Sequence, residues 1–176
     1  MALLAPWIIG AALLGLLYLH QDVSTTSAVS TTSLTTTTIE SVAGKPCVAV
    51  VDPLPAGAPE VPVEVGPPPT KIVIKDIKTG TGSTVATTGS VTVNYIGVAC
   101  STGKIFATSY PIGGAETIPL DWAITGWAKG VTGMKVGGKR LLGIPSTLAY
   151  GTDGEPPNVA PDEAVWIVVE VTGTHP

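Results

Sequence analysis

Tyr95, Phe106, Ile124, Trp127, Tyr150 and Ile167 are the residues of this chain whose types could line a small apolar site. Sets of this kind are ordinarily core. Here Tyr95 lies in V-T-V-N-Y-I-G, Ile124 and Trp127 share I-T-G-W, and Tyr150 sits in A-Y-G ahead of a Gly/Pro-rich loop. These contexts set some of the rings at the ends of elements rather than in their middles. A concave apolar surface with a few polar handles is what small-ligand recognition needs.

Other chemistries are poorly served. Gly133 to Lys139 matches G-x-x-x-x-G-K, but Arg140 stands where a phosphate-binding loop needs Ser or Thr, and no strand precedes it. The glycines Gly80 and Gly82 lack the third glycine and the helix of a dinucleotide loop and read as a turn. His20 and His175 lie at opposite ends, so no imidazole base serves a Ser or Cys nucleophile, and no metal set assembles with two distant cysteines. Asp121, Glu155, Asp162, Glu163 and Glu170 read as solvated surface charges. With 12% charged residues, a net charge of −4 and nine scattered Lys and Arg, the chain offers no basic stripe for nucleic acid. No cofactor is implied.

The elements that must position the aromatic set can be read from periodicity. Lys71 to Lys78 and Val91 to Val98 alternate as half-buried strands, and a third strand begins at Lys104-Ile105-Phe106. A helix starts near Thr125, a plausible N-cap, with Trp127, Val131 and Met134 on one face. Gly126, Gly130 and Gly133 each cost up to about 1 kcal/mol in a helix interior, so packing must hold it. Arg140 to Ile144 forms a strand stopped by Pro145. Ala164 to Val171 is apolar on both faces at its centre and is expected in the middle of the sheet. The expected fold class is α+β, an antiparallel β-sheet wrapped around one short α-helix.

The first third of the 176 residues reads differently. Ala2 to Leu19 is uncharged and almost wholly apolar, which fits a spanning helix of roughly 18 residues or a signal-peptide core, the anchor being favoured. The run STTSAVSTTSLTTTT from Ser24 and the Pro-rich stretch Pro53 to Pro69 read as a tether. The expected organisation is a transmembrane anchor over 1–22, an extended linker over 23–68 and one domain over 69–176, held on the extracytoplasmic side of a membrane. Pro46 to Val51 is an apolar run that adds an edge strand to the domain or to a partner. Cys47 and Cys100 either pair in an oxidising compartment, tying this run to the domain, or stay as two buried thiols.

The contexts of Tyr95, K-I-F at Phe106, I-T-G-W, V-G-G-K-R, A-Y-G and V-V-E-V, with their spacing from the helix onward, resemble the FKBP-type peptidyl-prolyl isomerases over about residues 69 to 173. The resemblance implies that Tyr95, Phe106, Trp127 and Tyr150 form the catalytic pocket, with Ala123, Ile124, Ala107 and Ile167 binding substrate. Trp127 would be the floor beneath the prolyl ring. The Ile124 N–H and Tyr150 hydroxyl would hold substrate carbonyls. It also implies proline-containing polypeptides as partners and macrolides as inhibitors. In this chain Ala107 replaces the family's usual Asp, Tyr110 to Leu120 is shortened and lacks a Phe, Ile167 stands where an aromatic is common, and Glu155 and Pro157 differ from the commonest loop. Two functions follow: a membrane-tethered isomerase assisting exported chains to fold, or a catalytically weak binding domain serving as an accessory subunit of a membrane assembly.

Overall fold

The computed structural model describes residues 40–110 and 113–176. The apolar run Ala2 to Leu19 and the Ser/Thr tract lie outside the described residues, and no described helix is long and apolar enough to cross a membrane.

Six strands form one antiparallel sheet: β1 (Val73–Lys78), β2 (Ser90–Ala99), β3 (Ile105–Thr108), β4 (Glu116–Pro119), β5 (Lys139–Ile144) and β6 (Val165–His175), in the order β1-β5-β6-β2-β3, with β4 also paired to β2. Among the described residues one α-helix, α1 (Thr125–Val131), and a 3₁₀ turn (Ser146–Leu148) complete it. β6 is central, as its two-faced apolar pattern predicts, lying between β5 and β2. β1 is an edge strand, and its expected half-buried alternation is not realised, since Ile74 and Ile77 are each 49% exposed.

The period-2 geometry of the strands divides the core in two. Val91 and Val93 of β2, Leu142 and Ile144 of β5, and Val165, Ile167, Val169 and Val171 of β6 point to one side and pack with Trp127 and Val131 of α1. Their neighbours Ile96, Val98, Leu141, Trp166 and Val168 point to the other, where no described helix lies, and pack with Cys47 and Val61.

That second cluster revises the expected linker. Residues 40–68 do not stand off from the domain but run along the outer face of the sheet. Cys47 and Gly66 are joined by a two-way backbone bridge at 2.6 and 3.1 Å. The Val48 N–H donates to Cys100 O at 2.8 Å, the Val51 N–H to Gly103 O at 3.0 Å, and the Ile105 N–H to Asp52 Oδ2 at 2.7 Å. The run Cys47 to Val51 thus follows the β2–β3 turn, though it joins no strand of the sheet. Cys47 and Cys100 are bonded as a disulfide closing 53 residues of sequence separation. The arm is fastened here because the outer faces of β2, β5 and β6 are too apolar to leave in water.

α1 is held by packing, and its glycines show why. A Cβ on Gly126 would lie 2.3 Å from Ile144 Cγ2, and one on Gly130 2.6 Å from Leu142 Cδ2. The helix therefore sits closer to β5 than any side chain would allow. Two local expectations are corrected. The N-cap is Ile124 and makes no side-chain cap bond, Thr125 being the first helical residue. The helix ends at Val131, and Met134 is buried from the loop beyond it. Glu163 is also no surface charge: it is 2% exposed and accepts from the Ser101 N–H at 2.8 Å and the Ser101 hydroxyl at 2.7 Å.

Candidate active site

The helix-side core opens at one place into a cavity of about 280 Å³, whose walls include Tyr95, Phe106, Ala107, Ala123, Ile124, Trp127, Tyr150 and Ile167. All eight expected site residues meet there. Four further residues line it: Gly97, Ile118, Trp122 and Glu155. The volume suits a prolyl residue with an adjoining peptide group, just below the range of roughly 300–1,000 Å³ typical of small-molecule pockets.

Each wall has a local cause. Trp127 is carried by the first turn of α1 and is 5% exposed, so its indole forms a fixed floor. Phe106 comes from β3, which is displaced along β2 by a bulge between Gly97 and Val98. Its ring lies over the bare backbone of Gly97, where a Cβ would come within 2.7 Å of two ring carbons. Phe106 meets Tyr150 edge to face, with centroids 5.9 Å apart and planes at 86°, a geometry that aromatic quadrupoles favour. Tyr95 is fixed along its backbone, its N–H donating to Ser109 Oγ at 3.0 Å and its carbonyl accepting from the Ser109 N–H at 3.0 Å.

The polar groups are few: the two phenols, the Ile124 N–H and the exposed Glu155 carboxylate. The Tyr95 hydroxyl donates to Glu116 Oε2 at 3.2 Å. Burial first, then Glu116, pushes the Tyr95 hydroxyl up to about 12. Burial and Glu155 push Tyr150 up to about 12 as well, with a smaller contribution from Tyr95. Both phenols are therefore protonated donors at neutral pH. Among the described residues the Ile124 N–H has no backbone acceptor, as expected of the first donors of a helix, and Ile124 lines the cavity.

The family model for FKBP-type peptidyl-prolyl cis-trans isomerases matches residues 82–172. The chain belongs to this family. A probable FK506-binding protein of Corynebacterium glutamicum is 44% identical over 96 residues, covering 54% of this chain and 81% of the relative. An FK506-binding protein of Streptomyces anulatus is 42% identical over 116 residues, covering 64% and 94%. A crystal structure of a peptidyl-prolyl cis-trans isomerase from Pseudomonas syringae pv. tomato superposes with a TM-score of 0.55 at 30% identity, covering 60% of this chain and 76% of that one. The protein is thus an FKBP-type isomerase in fold and enzyme class, and its aromatic cavity joins Trp127, Tyr95, Phe106 and Tyr150.

A larger depression of about 720 Å³ lies between the start of β2, the end of β4 and α1, lined by residues such as Gly89, Leu120, Ala128, Thr132 and Pro176. Its lining contains no aromatic ring, so size alone does not make it the reaction site.

Of the cavity residues that the sequence does not single out, Ile118 belongs to β4, which is too short for periodicity to register. Trp122 resembles a surface turn residue until its position at the cavity mouth is seen.

Proposed function

We propose that this chain isomerises X-Pro peptide bonds in exported polypeptides while tethered to a membrane by its N-terminal segment. The observation that carries the catalytic part is the Trp127 floor enclosed by Phe106, Tyr95 and Tyr150, with the unpartnered Ile124 N–H at its edge.

The chemistry needs no bond to be made or broken. Rotation about the peptide C–N bond is resisted by about 18–20 kcal/mol of resonance. A planar amide carries separated charge that water solvates well, whereas the twisted amide has lost that separation and is the better guest of an apolar enclosure. The prolyl ring seats on Trp127, and Phe106 and Tyr150 exclude water around the rotating bond. The Ile124 N–H and the Tyr150 hydroxyl hold carbonyls of the flanking chain, so that one end of the amide is fixed while the other turns. The same cavity is the place for FK506-type ligands, the class that the relatives' names carry.

The exported setting rests on three features. The run Ala2 to Leu19 is uncharged and apolar, a Ser/Thr tract follows it, and the Cys47–Cys100 disulfide is of a kind that persists in oxidising compartments. A proline-limited refolding assay and a tetrapeptide isomerisation assay with the full chain test the activity, which should exceed the uncatalysed rate and be inhibited by FK506. Protease digestion of intact and lysed cells tests the setting: the domain should be cleaved in intact cells or after outer-membrane permeabilisation, and protection until full lysis would overturn it.

Ala107, with no carboxylate where the family usually has one, favours a second reading in which the cavity binds proline-containing chain as an accessory subunit and turns it over slowly.

A further inference from the structure

The Lys and Arg residues are scattered in sequence but not on the folded surface. Six of the nine, Lys71, Lys75, Lys78, Lys135, Lys139 and Arg140, lie on β1, on β5 or in the chain leading into these strands, where Asp76 is the one acidic residue. Lys75, Lys139 and Arg140 are paired with Glu64, Glu170 and Asp76. Lys71, Lys78 and Lys135 are exposed and make no ion pair among the described residues, and Lys78 and Lys135 line one small cleft with Arg140. In a chain of net charge −4 the β1 edge of the sheet is therefore a local cationic surface. The same strand carries Ile74 and Ile77, each 49% exposed. Edge strands often bear Lys and a bulge as protection against pairing with another chain, and β1 has both, its register shifting between Asp76 and Lys78. That protection accounts for Lys75 and Lys78. It accounts neither for Lys135, which lies off the strand, nor for two aliphatic side chains left in water.

Two further placements identify what this edge meets. Ala43 and Gly44, near the start of the described arm, line a cleft with Pro69 and Thr70, which lead into β1. The chain that runs back to the apolar stretch Ala2 to Leu19 thus departs beside the first residues of β1. The aromatic cavity, in turn, takes its strand residues from β2, β3, β4 and β6 and none from β1 or β5, and the sheet order sets β1 at the opposite edge from β3. A flat partner on β1 leaves the cavity open. We infer that the β1 edge docks the domain onto anionic lipid headgroups of the membrane that holds its N-terminal segment. This rests on the membrane-tethered reading and adds to it a face and a lipid class. The ammonium groups of Lys71, Lys78 and Lys135 meet lipid phosphates, their stems lie along the interface, and Ile74 and Ile77 enter the boundary between headgroups and acyl chains. An acidic protein would satisfy the lysines but would have no reason to bind beside the tether.

The full chain decides it, mixed with vesicles of phosphatidylcholine alone or of equal parts phosphatidylcholine and phosphatidylglycerol, each doped with a quencher lipid. A fluorophore on Thr79→Cys reports the β1 edge, and one on Ala115→Cys, ahead of β4, reports the far side of the sheet. Residue 79 should be quenched on the anionic vesicles and not on the neutral ones, and residue 115 on neither. Each of Lys71→Gln, Lys78→Gln and Lys135→Gln should lower the ratio of docked to free domain about 5-fold, and high salt should release it. Ile77→Ser should lower the ratio as well, without changing the salt dependence. These side chains are exposed, so the thermal midpoints should stay within error. Equal quenching of residue 79 on both lipids, equal quenching of residues 79 and 115, or lysine variants that dock like the parent overturn the inference. Poly-glutamate at matched charge should not displace the domain, since it offers the isoleucines nothing; displacement would assign the edge to an acidic chain and overturn the lipid. Flotation of the same vesicles reads the tether separately. If the chain floats with both lipids in high salt but residue 79 is never quenched, the docking falls and the tether stands. If it floats with anionic vesicles alone and needs the three lysines to do so, the tether falls and the docking surface stands.

Discussion

The indole N–H of Trp166 donates to Cys47 Sγ at 3.2 Å, so the largest side chain on the outer face of the central strand is bonded to the disulfide that fastens the N-terminal arm. Through this contact the arm becomes part of the core, because Trp166 is 1% exposed and its indole N–H has no other partner among the described residues. The aromatic cavity lies on the opposite face of the same strand, lined by Ile167.

Removing the disulfide should therefore cost stability and spare turnover. Cys47→Ala with Cys100→Ala frees a segment closed over 53 residues, which the chain-entropy relation values at about 4 kcal/mol, and it leaves the Trp166 N–H short of an acceptor. Urea unfolding with and without reductant measures the loss. The prediction fails if the midpoint is insensitive to reduction, or if kcat/KM falls several-fold while the domain remains folded.

Cavity substitutions should show the reverse. Trp127→Ala would confound the reading, since emptying a buried Trp site costs about 3–5 kcal/mol. Trp127→Leu and Phe106→Leu keep most of the volume, and kcat/KM should drop roughly 10- to 100-fold, about 1.4–2.7 kcal/mol of transition-state stabilisation. Normal kinetics in both variants would remove the aromatic enclosure from the mechanism.

Gly126→Ala and Gly97→Ala separate structure from function among the close approaches. At Gly126 the new methyl would meet Ile144 Cγ2 at 2.3 Å and force α1 off β5, so the midpoint should fall by about 1–3 kcal/mol. At Gly97 it would meet the Phe106 ring at 2.7 Å, at the edge of the cavity rather than under the helix. Phe106 can swing outward there, and activity should suffer more than stability. Equal losses of stability at both positions would contradict the assignment.

The pH profile should be flat across neutrality, because the two cavity phenols stay protonated there. Tyr95 and Tyr150 ionise at about 12 in the folded chain against 10.0 unperturbed. Raised phenol values mean that the fold favours the neutral hydroxyl. That contribution is full below pH 10 and is lost as pH climbs towards 12. At the acid end the hydrogen bond from Arg140 holds the Asp76 carboxyl below its usual value, a surface contribution present at neutral pH and lost as pH falls through the acid range. Thermal midpoints from about pH 2 to 11.5 check both limbs, and a rate profile with a bell centred near pH 7 would demand an unrecognised acid or base.

How much of this was legible beforehand depended on where each residue's partner lay. Val165 to Val171 announces a central strand because its apolar character on two faces is local to it, and the motifs around Tyr95, Trp127 and Tyr150 locate the cavity because their spacing is intact. The arm is a different matter. Pro53 to Pro69 has the composition of a tether, and nothing within it reveals that Val61 will be 6% exposed against Trp166 and Val168. The clue lay in the strands, whose second apolar face needed a cover that no described helix supplies. β4 escaped notice because four residues are too few for a period, and its pairing with β2, which aligns Val93 with Glu116, is what brings a carboxylate to the Tyr95 hydroxyl.

The last prediction concerns the residue that departs most from the family. Ala107 is half-buried, lines the cavity and sits opposite Gly97 in the β2–β3 register. An Asp there would place a carboxylate at the cavity border, as in most of the family, and would leave the register intact because Gly97 presents no side chain. One added hydrogen bond to a hydroxyl or to the bound chain is worth about 0.5–1.5 kcal/mol net, which corresponds to roughly a 2- to 10-fold gain in kcat/KM. Ala107→Asp should therefore raise turnover by that factor without changing the proline-peptide affinity to the same extent. If turnover falls instead while the thermal midpoint holds, the carboxylate of Glu116, already bonded to Tyr95 at 3.2 Å, fills that role from β4, and a second negative charge beside it is only repulsive. Measuring Ala107→Asp alone and combined with Glu116→Gln distinguishes the two, since a lost gain that reappears in the double variant can come only from that repulsion.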